Sequence, residues 1–184
     1  MQITAFIGSP RKEGNTDILV ESILDGARSK GAATEKIFLY DLAMSGCIAC
    51  EGCKRGDRCV LNDDMTPLYD LIQESDVVIL ASPIYIGRIS GPLKSFFDRW
   101  YAFMDSQFNT RITPLKKIVA VTVYAAPEGM FKGEADYILS WCERWGMIPA
   151  GSMEISDVAE IGAIKNKAVA LQEARALGES LVTK

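Results

Sequence analysis

The 184-residue sequence contains no histidine. Its absence excludes Rieske-type ligation, mixed cysteine-histidine zinc sites, and any Ser-His or Cys-His nucleophile pair. Two phosphate-binding signatures are missing too. No G-x-x-x-x-G-K-[ST] and no G-x-G-x-x-G occurs, which disfavours nucleoside triphosphate hydrolysis and a standard dinucleotide fingerprint. A net charge of -4 and a pI near 5.0 give no concentrated basic surface of the kind that nucleic-acid phosphates demand. No apolar run approaches the roughly 20 residues that span a bilayer. The segment Met1 to Ile7 has no basic n-region, and its apolar stretch is too short for a signal peptide. The expectation is a cytoplasmic chain with neither nucleic-acid nor membrane partners.

Cysteine, by contrast, is concentrated. Four of the five lie at Cys47, Cys50, Cys53 and Cys59, in the pattern C-x2-C-x2-C-x5-C. In a reducing compartment, clustered cysteines are more often metal ligands or catalytic groups than disulfides. Four soft thiolates packed this closely can converge on one metal centre, and the compact C-x2-C-x2-C run resembles iron-sulfur ligation. A structural zinc site is the alternative, although zinc ribbons use two C-x2-C knuckles with a longer spacer. Lys54, Arg55 and Arg58 form a local basic knot that either offsets the negative charge of a four-thiolate centre, attracts an acidic donor protein, or is simply a solvated loop. Cys142 shares an apolar helical face with Leu139 and Trp145 and reads as a small core residue.

Short apolar runs alternate with amphipathic ones along the chain. Strands are expected at Ile3-Ile7, Lys36-Tyr40, Asp76-Ala81, Lys117-Val123 and about Met147-Glu154. Helices are expected at about Asn15-Lys30, Thr66-Glu74, Gly91-Met104, Lys132-Gly146 and Ile164-Thr183, with Asp63-Asp64 opening the second. Parallel neighbours need helical crossovers, so this alternation predicts an α/β doubly wound five-stranded parallel sheet in the flavodoxin-like order 2-1-3-4-5. One domain over residues 1–184 is expected, because a chain this long with 48% apolar residues can bury one substantial core. The connection carrying the four cysteines far exceeds the roughly 2–6 residues usual between such elements. It reads as an added functional device, a loop inserted at 44–62.

In such a sheet, ligands bind beyond the carboxyl ends of the strands at the switch point between strands one and three. Two sequence loops open there. Gly8 to Thr16 joins the first strand to a helix N-terminus, where backbone N-H groups and the helix dipole favour a phosphate, with Ser9, Asn15 and Thr16 as donors and Arg11 as a charge. Ser82 to Pro92 follows the third strand: Pro83 stiffens it, Ile84, Tyr85 and Ile86 offer flat or apolar contact, and Gly87 permits close backbone approach. A third segment, Tyr124 to Gly129, lies on the same rim, and its small residues Ala125 and Ala126 would let a planar ring approach the backbone.

The S-P-R-x-x-x-N-T loop, the S-P-I-Y loop continuing into Gly91-Pro92-Leu93-Lys94-Ser95-Phe96-Phe97-Asp98-Arg99-Trp100, and the four-cysteine motif together resemble the iron-sulfur flavoproteins. These belong to the NAD(P)H-dependent FMN reductase-like branch of the flavodoxin-like superfamily. The resemblance implies FMN with its phosphate on Ser9, Arg11, Asn15 and Thr16. Its isoalloxazine would lie against Pro83, Ile84, Tyr85, Ile86 and Gly87 and the segment Ala125, Ala126 and Glu128. It also implies a [4Fe-4S] cluster on Cys47, Cys50, Cys53 and Cys59, and a homodimer or homotetramer that brings the cluster loop near a neighbouring flavin. The implied function is electron transfer from a ferredoxin-like one-electron donor through the cluster to FMN and on to dioxygen, peroxide or a quinone. Two alternatives stand beside it. One is an NAD(P)H-dependent FMN or quinone reductase with an accessory cysteine loop, the other a non-catalytic redox-sensing or zinc-stabilised binding module.

Overall fold

The structure, a computed structural model, describes residues 1–182. Strands β1 (Gln2–Ile7), β2 (Ala33–Phe38), β3 (Val77–Tyr85), β4 (Arg88–Ile89), β5 (Lys117–Val123) and β6 (Ile148–Ile155) form one sheet in the order β2-β1-β3-β5-β6, with β4 attached to β3. All neighbours along that path are parallel, and only β4 runs antiparallel. The expected five-stranded sheet is therefore corrected to six strands. The helices are α1 (Asn15–Ser29), α2 (Gly52–Arg55), α3 (Thr66–Glu74), α4 (Gly91–Arg99), α5 (Glu134–Arg144) and α6 (Ala168–Val182). The expected end of the last helix at Thr183 lies outside the described residues.

Alternation along the strands builds two cores. On β1, Ile3, Ala5 and Ile7 face one side of the sheet and Phe6 the other; on β3, Val77, Ile79 and Ala81 oppose Val78 and Leu80. The first side is covered by α1 and α6, the second by α3, α4 and α5. Helix α1 buries Leu19, Val20, Ile23, Leu24 and Ala27, the three-and-four spacing of a single apolar stripe. It crosses α6 so closely that a Cβ on Gly26 would lie 2.0 Å from the Arg175 carbonyl oxygen, and one on Gly178 1.8 Å from that of Ile23. No side chain fits at either point.

Several boundaries depart from the periodicity reading, and the second strand, expected at Lys36-Tyr40, runs instead from Ala33 to Phe38. The S-P-I-Y segment is not a loop but the end of β3, which runs on to Tyr85 because Ser82 and Pro83 stay in register with Thr122 and Val123. Its turn back into β4 is made by Ile86 and Gly87 at φ +49° and +77°. Two consecutive positive φ values match the twist of a two-residue hairpin, at the cost of strain in a β-branched residue. The third expected helix, Gly91-Met104, is shorter, α4 ending at Arg99 and passing into a 3-10 turn at Trp100–Phe103. The cysteine connection holds the short helix α2, which periodicity does not show.

Candidate functional site

Two places concentrate chemistry, and they share no lining residue. The first is a crevice of about 240 Å³ at the carboxyl rim of the sheet, lined by Ser9 and Arg11 from the β1–α1 loop, Asn15 and Thr16 from the first turn of α1, and Pro83, Ile84 and Tyr85 from β3. Val123 at the end of β5, Tyr124 and Ala125 just after it, and Val158 and Ala159 after β6 close it. The rim is knitted by short bonds. Gly8 N donates to Ala81 O at 2.8 Å, Ser90 Oγ donates to Gly8 O at 2.8 Å, and Ser90 N donates to Ser82 Oγ at 2.8 Å. A Cβ on Gly8 would come within 2.5 Å of that Ser90 oxygen.

Helix α1 opens toward this crevice with no side-chain cap. Thr16 is buried and Arg11 is exposed, with no ion pair among the described residues. The free N-H groups of a first turn, together with the helix dipole, make an anion site. Asp17 does not occupy it: its carboxylate accepts from Glu13 N at 2.7 Å and pairs with Lys36 at 2.6 Å, holding the left-handed Glu13 that turns the loop.

Asn15 has a different task from the expected one. Its Nδ2 donates to Val158 O at 3.0 Å and Glu160 O at 2.8 Å, and its Oδ1 accepts from Ile164 N at 3.1 Å. Those three bonds use the side chain to fasten the β6–α6 connection over the crevice. Any contact from Asn15 to a bound anion falls to its backbone N-H. Asn15 nevertheless lines the crevice, whereas Ile86, Gly87, Ala126 and Glu128 do not. Ile86 stands fully exposed at the hairpin tip, Gly87 beside it, Ala126 packs toward the core and Glu128 faces solvent. Val158 and Ala159 were not legible from sequence, since no local motif marks a segment that a partner about 143 residues away pulls into place.

The second place is the cysteine connection. Cys47, Cys50, Cys53 and Cys59 all line one small cavity of about 20 Å³, together with Arg99 and Tyr101. Ala49 N donates to Cys47 Sγ at 3.4 Å, and Ala49 and Glu51, on either side of Cys50, are both left-handed. Strain of this kind persists where the surroundings fix the backbone. A Cβ on Gly52 would meet Val60 Cγ1 at 2.3 Å, so glycine lets the two ends of the motif close on each other. Burial pushes the Cys53 thiol up, against the pull of Lys54. Among the described residues, no group of three or more His, Cys, Asp or Glu side chains is set to hold a single metal ion.

Three cations fasten this connection to the end of α4 and the segment after it. Arg99 reaches Ser45 O and Asp63. Lys54 Nζ donates to Tyr101 O at 2.8 Å and Met104 O at 2.6 Å, and Arg111 donates to Cys53 O and Ala102 O, each at 3.0 Å. The basic knot expected from sequence is thus mostly consumed: Lys54 is turned inward, and Arg58 pairs with Asp70 at 3.2 Å. Asp63 also departs from its expected role as a cap. It accepts from Met65 N at 3.2 Å, but its main partner is Arg99, which holds its carboxyl below the usual carboxylate range. Cys142 and Trp100 are fully buried, as their apolar neighbours imply, and burial pushes the Cys142 thiol up.

Residues 1–160 match the family described as NADPH-dependent FMN reductase. The chain belongs to that family. Within this FMN reductase family it groups with the iron-sulfur flavoproteins. It is 31% identical over 151 residues to one from Methanosarcina thermophila, covering 82% of this chain and 78% of that one. It is 27% identical to one from Archaeoglobus fulgidus, covering 99% and 94%. Among solved structures, the NAD(P)H:quinone oxidoreductase from Methanothermobacter marburgensis superposes with a TM-score of 0.80 at 21% identity, covering 100% of this chain and 98% of that one. That last likeness speaks to the fold alone. Family membership makes the chain an FMN-dependent oxidoreductase, and the non-catalytic alternative is set aside. The crevice fits FMN on its own chemistry: an uncapped helix N-terminus with a buried hydroxyl and a free arginine for phosphate, and Pro83, Ile84, Tyr85 and Ala125 for an apolar ring. No helix among the described residues is long and apolar enough to cross a membrane.

Proposed function

We propose that this oxidoreductase carries a [4Fe-4S] cluster on Cys47, Cys50, Cys53 and Cys59 and passes electrons from a ferredoxin-like one-electron donor to FMN and on to a small acceptor such as dioxygen, peroxide or a quinone. The observation that carries the reading is the disposition of the four thiols. All four line one small cavity of about 20 Å³, so a complete set of soft thiolate ligands sits in one place. Their compact spacing suits iron-sulfur ligation better than the paired knuckles of a zinc ribbon. The cavity must widen to admit a cluster, and the wall that would move is the exposed one: Ile48 and Val60 are each 59% exposed, and Cys47 and Cys50 face outward.

When bound, the cluster supplies one-electron exchange and FMN couples single electrons to two-electron chemistry. The chain's own groups bind and orient. The first turn of α1, Thr16 and Arg11 would hold the phosphate, Ser9 accepts from Arg11 N at 3.2 Å to shape the loop before that turn, and Pro83, Ile84, Tyr85 and Ala125 would shield the ring from water. With no histidine in the chain, protons would reach the flavin from water, directly or along a path ordered by the backbone, rather than from an imidazole. Because the thiol cavity and the crevice share no lining residue, we include a homodimer or homotetramer in the reading, with one copy's cysteine loop beside another's flavin. The connection at 44–62 then acts as an insertion on a flavodoxin-like domain. Anaerobic purification with iron, sulfide, zinc and flavin analysis tests the whole: one cluster and one flavin per chain are expected, and a colourless, zinc-bearing protein overturns it. The family description favours a second reading, direct two-electron reduction by NAD(P)H with the cysteine loop accessory. Rapid flavin bleaching by nicotinamide, unchanged in Cys50→Ala, would select it.

A further inference from the structure

Arg99 ends α4 and is 1% exposed, among the most buried large side chains in the protein. A guanidinium has five N-H donors and no acceptor. Four are accounted for. Nη1 donates to Ser45 O and Asp63 Oδ2, each at 2.8 Å, and Nη2 donates to Asp63 Oδ1 at 3.1 Å and Leu61 O at 3.5 Å. The fifth, on Nε, is buried with no partner. Fully paired buried polar groups are the rule, so an orphan donor on a buried cation calls for a reason. Its surroundings supply one, because Arg99 lines the cavity that Cys47, Cys50, Cys53 and Cys59 share.

Resting on the iron-sulfur reading above, we propose that Arg99 is a positioning and charge-compensating residue for the cluster. Through Ser45, Leu61 and Asp63 it ties down both ends of the cysteine connection, and its unpaired Nε-H donates to a sulfur of the loaded centre. The bond is charge-assisted and shielded from solvent, the setting in which hydrogen bonds are strongest. Four thiolates concentrate negative charge, and an added electron increases it. A fixed cation alongside therefore favours the reduced form, while Asp63, the carboxylate that offsets Arg99, works against it. Hydrogen bonds to the sulfurs and net charge are two levers that set cluster potentials. Lysine at this position would keep the charge but lose both the fork onto Asp63 and the Nε-H.

The opposed signs of Arg99 and Asp63 make the test. Wild type, Arg99→Lys, Arg99→Gln and Asp63→Asn are loaded anaerobically. Iron and sulfide per chain, the cluster midpoint potential by redox titration, and the resonance Raman iron-sulfur bands in H₂O and D₂O are then measured. Flavin uptake serves as the check on folding. The expected results are a potential shifted down in Arg99→Gln, shifted down less in Arg99→Lys and shifted up in Asp63→Asn, with a deuterium-sensitive band in wild type that Arg99→Lys lacks. A residue that merely braces the loop would shift Arg99→Gln and Asp63→Asn the same way, or leave both at the wild-type potential, and either result overturns the proposal. If Arg99→Gln does not fold, the opposed shifts of Arg99→Lys and Asp63→Asn decide. A wild-type protein that takes up flavin but no iron overturns the proposed function and this inference together. Iron loading with a potential indifferent to Arg99 overturns this inference alone.

Discussion

Around the FMN crevice, the contacts that fix the geometry are backbone bonds and short hydroxyl or amide bridges: Gly8 N to Ala81 O, Ser90 Oγ to Gly8 O, and Asn15 to the carbonyls of Val158 and Glu160. The cysteine connection instead hangs on long cationic side chains, with Arg99, Lys54 and Arg111 each reaching out to backbone carbonyls. Short bridges leave little freedom to lose, so the crevice is shaped before any ligand arrives. Long tethers lose much rotamer entropy when they engage, about 1.5–2 kcal/mol for a lysine or arginine. The loop therefore has the more to gain from a bound group, and the two regions should respond differently to damage.

Removing a thiol tests the separation most severely. Cys50→Ala should abolish iron uptake while leaving flavin content within error of wild type, read by iron analysis and visible absorption. Loss of flavin in that variant would mean the two regions are one cooperative site. Gly8→Ala attacks the other side: its Cβ would drive into Ser90 Oγ and, at 2.8 Å, Leu93 Cβ. Overpacking of this kind costs about 1–3 kcal/mol. Urea denaturation should show it, with flavin affinity falling in parallel and iron uptake kept.

Asn15→Ala strips partners from two carbonyls and one N-H at once, but water can reach the half-exposed site, so about 1–2 kcal/mol is expected. Flavin affinity should drop more than stability does, because the lost bonds hold the crevice wall rather than a core. Fluorescence titration with FMN measures the ratio. Acid gives the smallest effect. Arg99 holds the Asp63 carboxyl below its ordinary value of 3.8 in the folded protein, so its stabilisation is fully present above that value and is lost as pH falls through the lowered one. The stability difference between wild type and Asp63→Asn should shrink as pH drops below about 4. Limited proteolysis across 45–63 should quicken in the same range, before the crevice loses flavin.

How far the sequence anticipates these two regions depends on how local their causes are. The four cysteines are legible because their spacing is itself the signal. The buried strands are legible because a parallel sheet covered on both faces demands unbroken apolar runs such as Val77 to Ala81. Pro83 misleads. It reads as stiffening a loop after the third strand, yet in register with Val123 at the end of β3 it still continues the strand. Asn15 misleads in another way, since a polar residue opening a helix looks like a ligand donor until its partners at Val158, Glu160 and Ile164 are known. Arg99 falls within the segment that carries the family likeness, but nothing adjacent in sequence foretells that it will be buried against the thiols. Long-range partners leave no periodic trace.

The bond between Asn15 and the β6–α6 connection, and the glycine crossing of α1 with α6, also set an order of events during synthesis. The phosphate end of the crevice is encoded within the first strand and helix, yet its far wall and the helix that braces α1 are made after β6 has emerged. On the ribosome, β1, β2 and β3 can pair while the crevice still lacks Val158 and Ala159. A nascent chain should therefore remain unable to retain flavin through most of its translation, and should acquire that capacity in one late step.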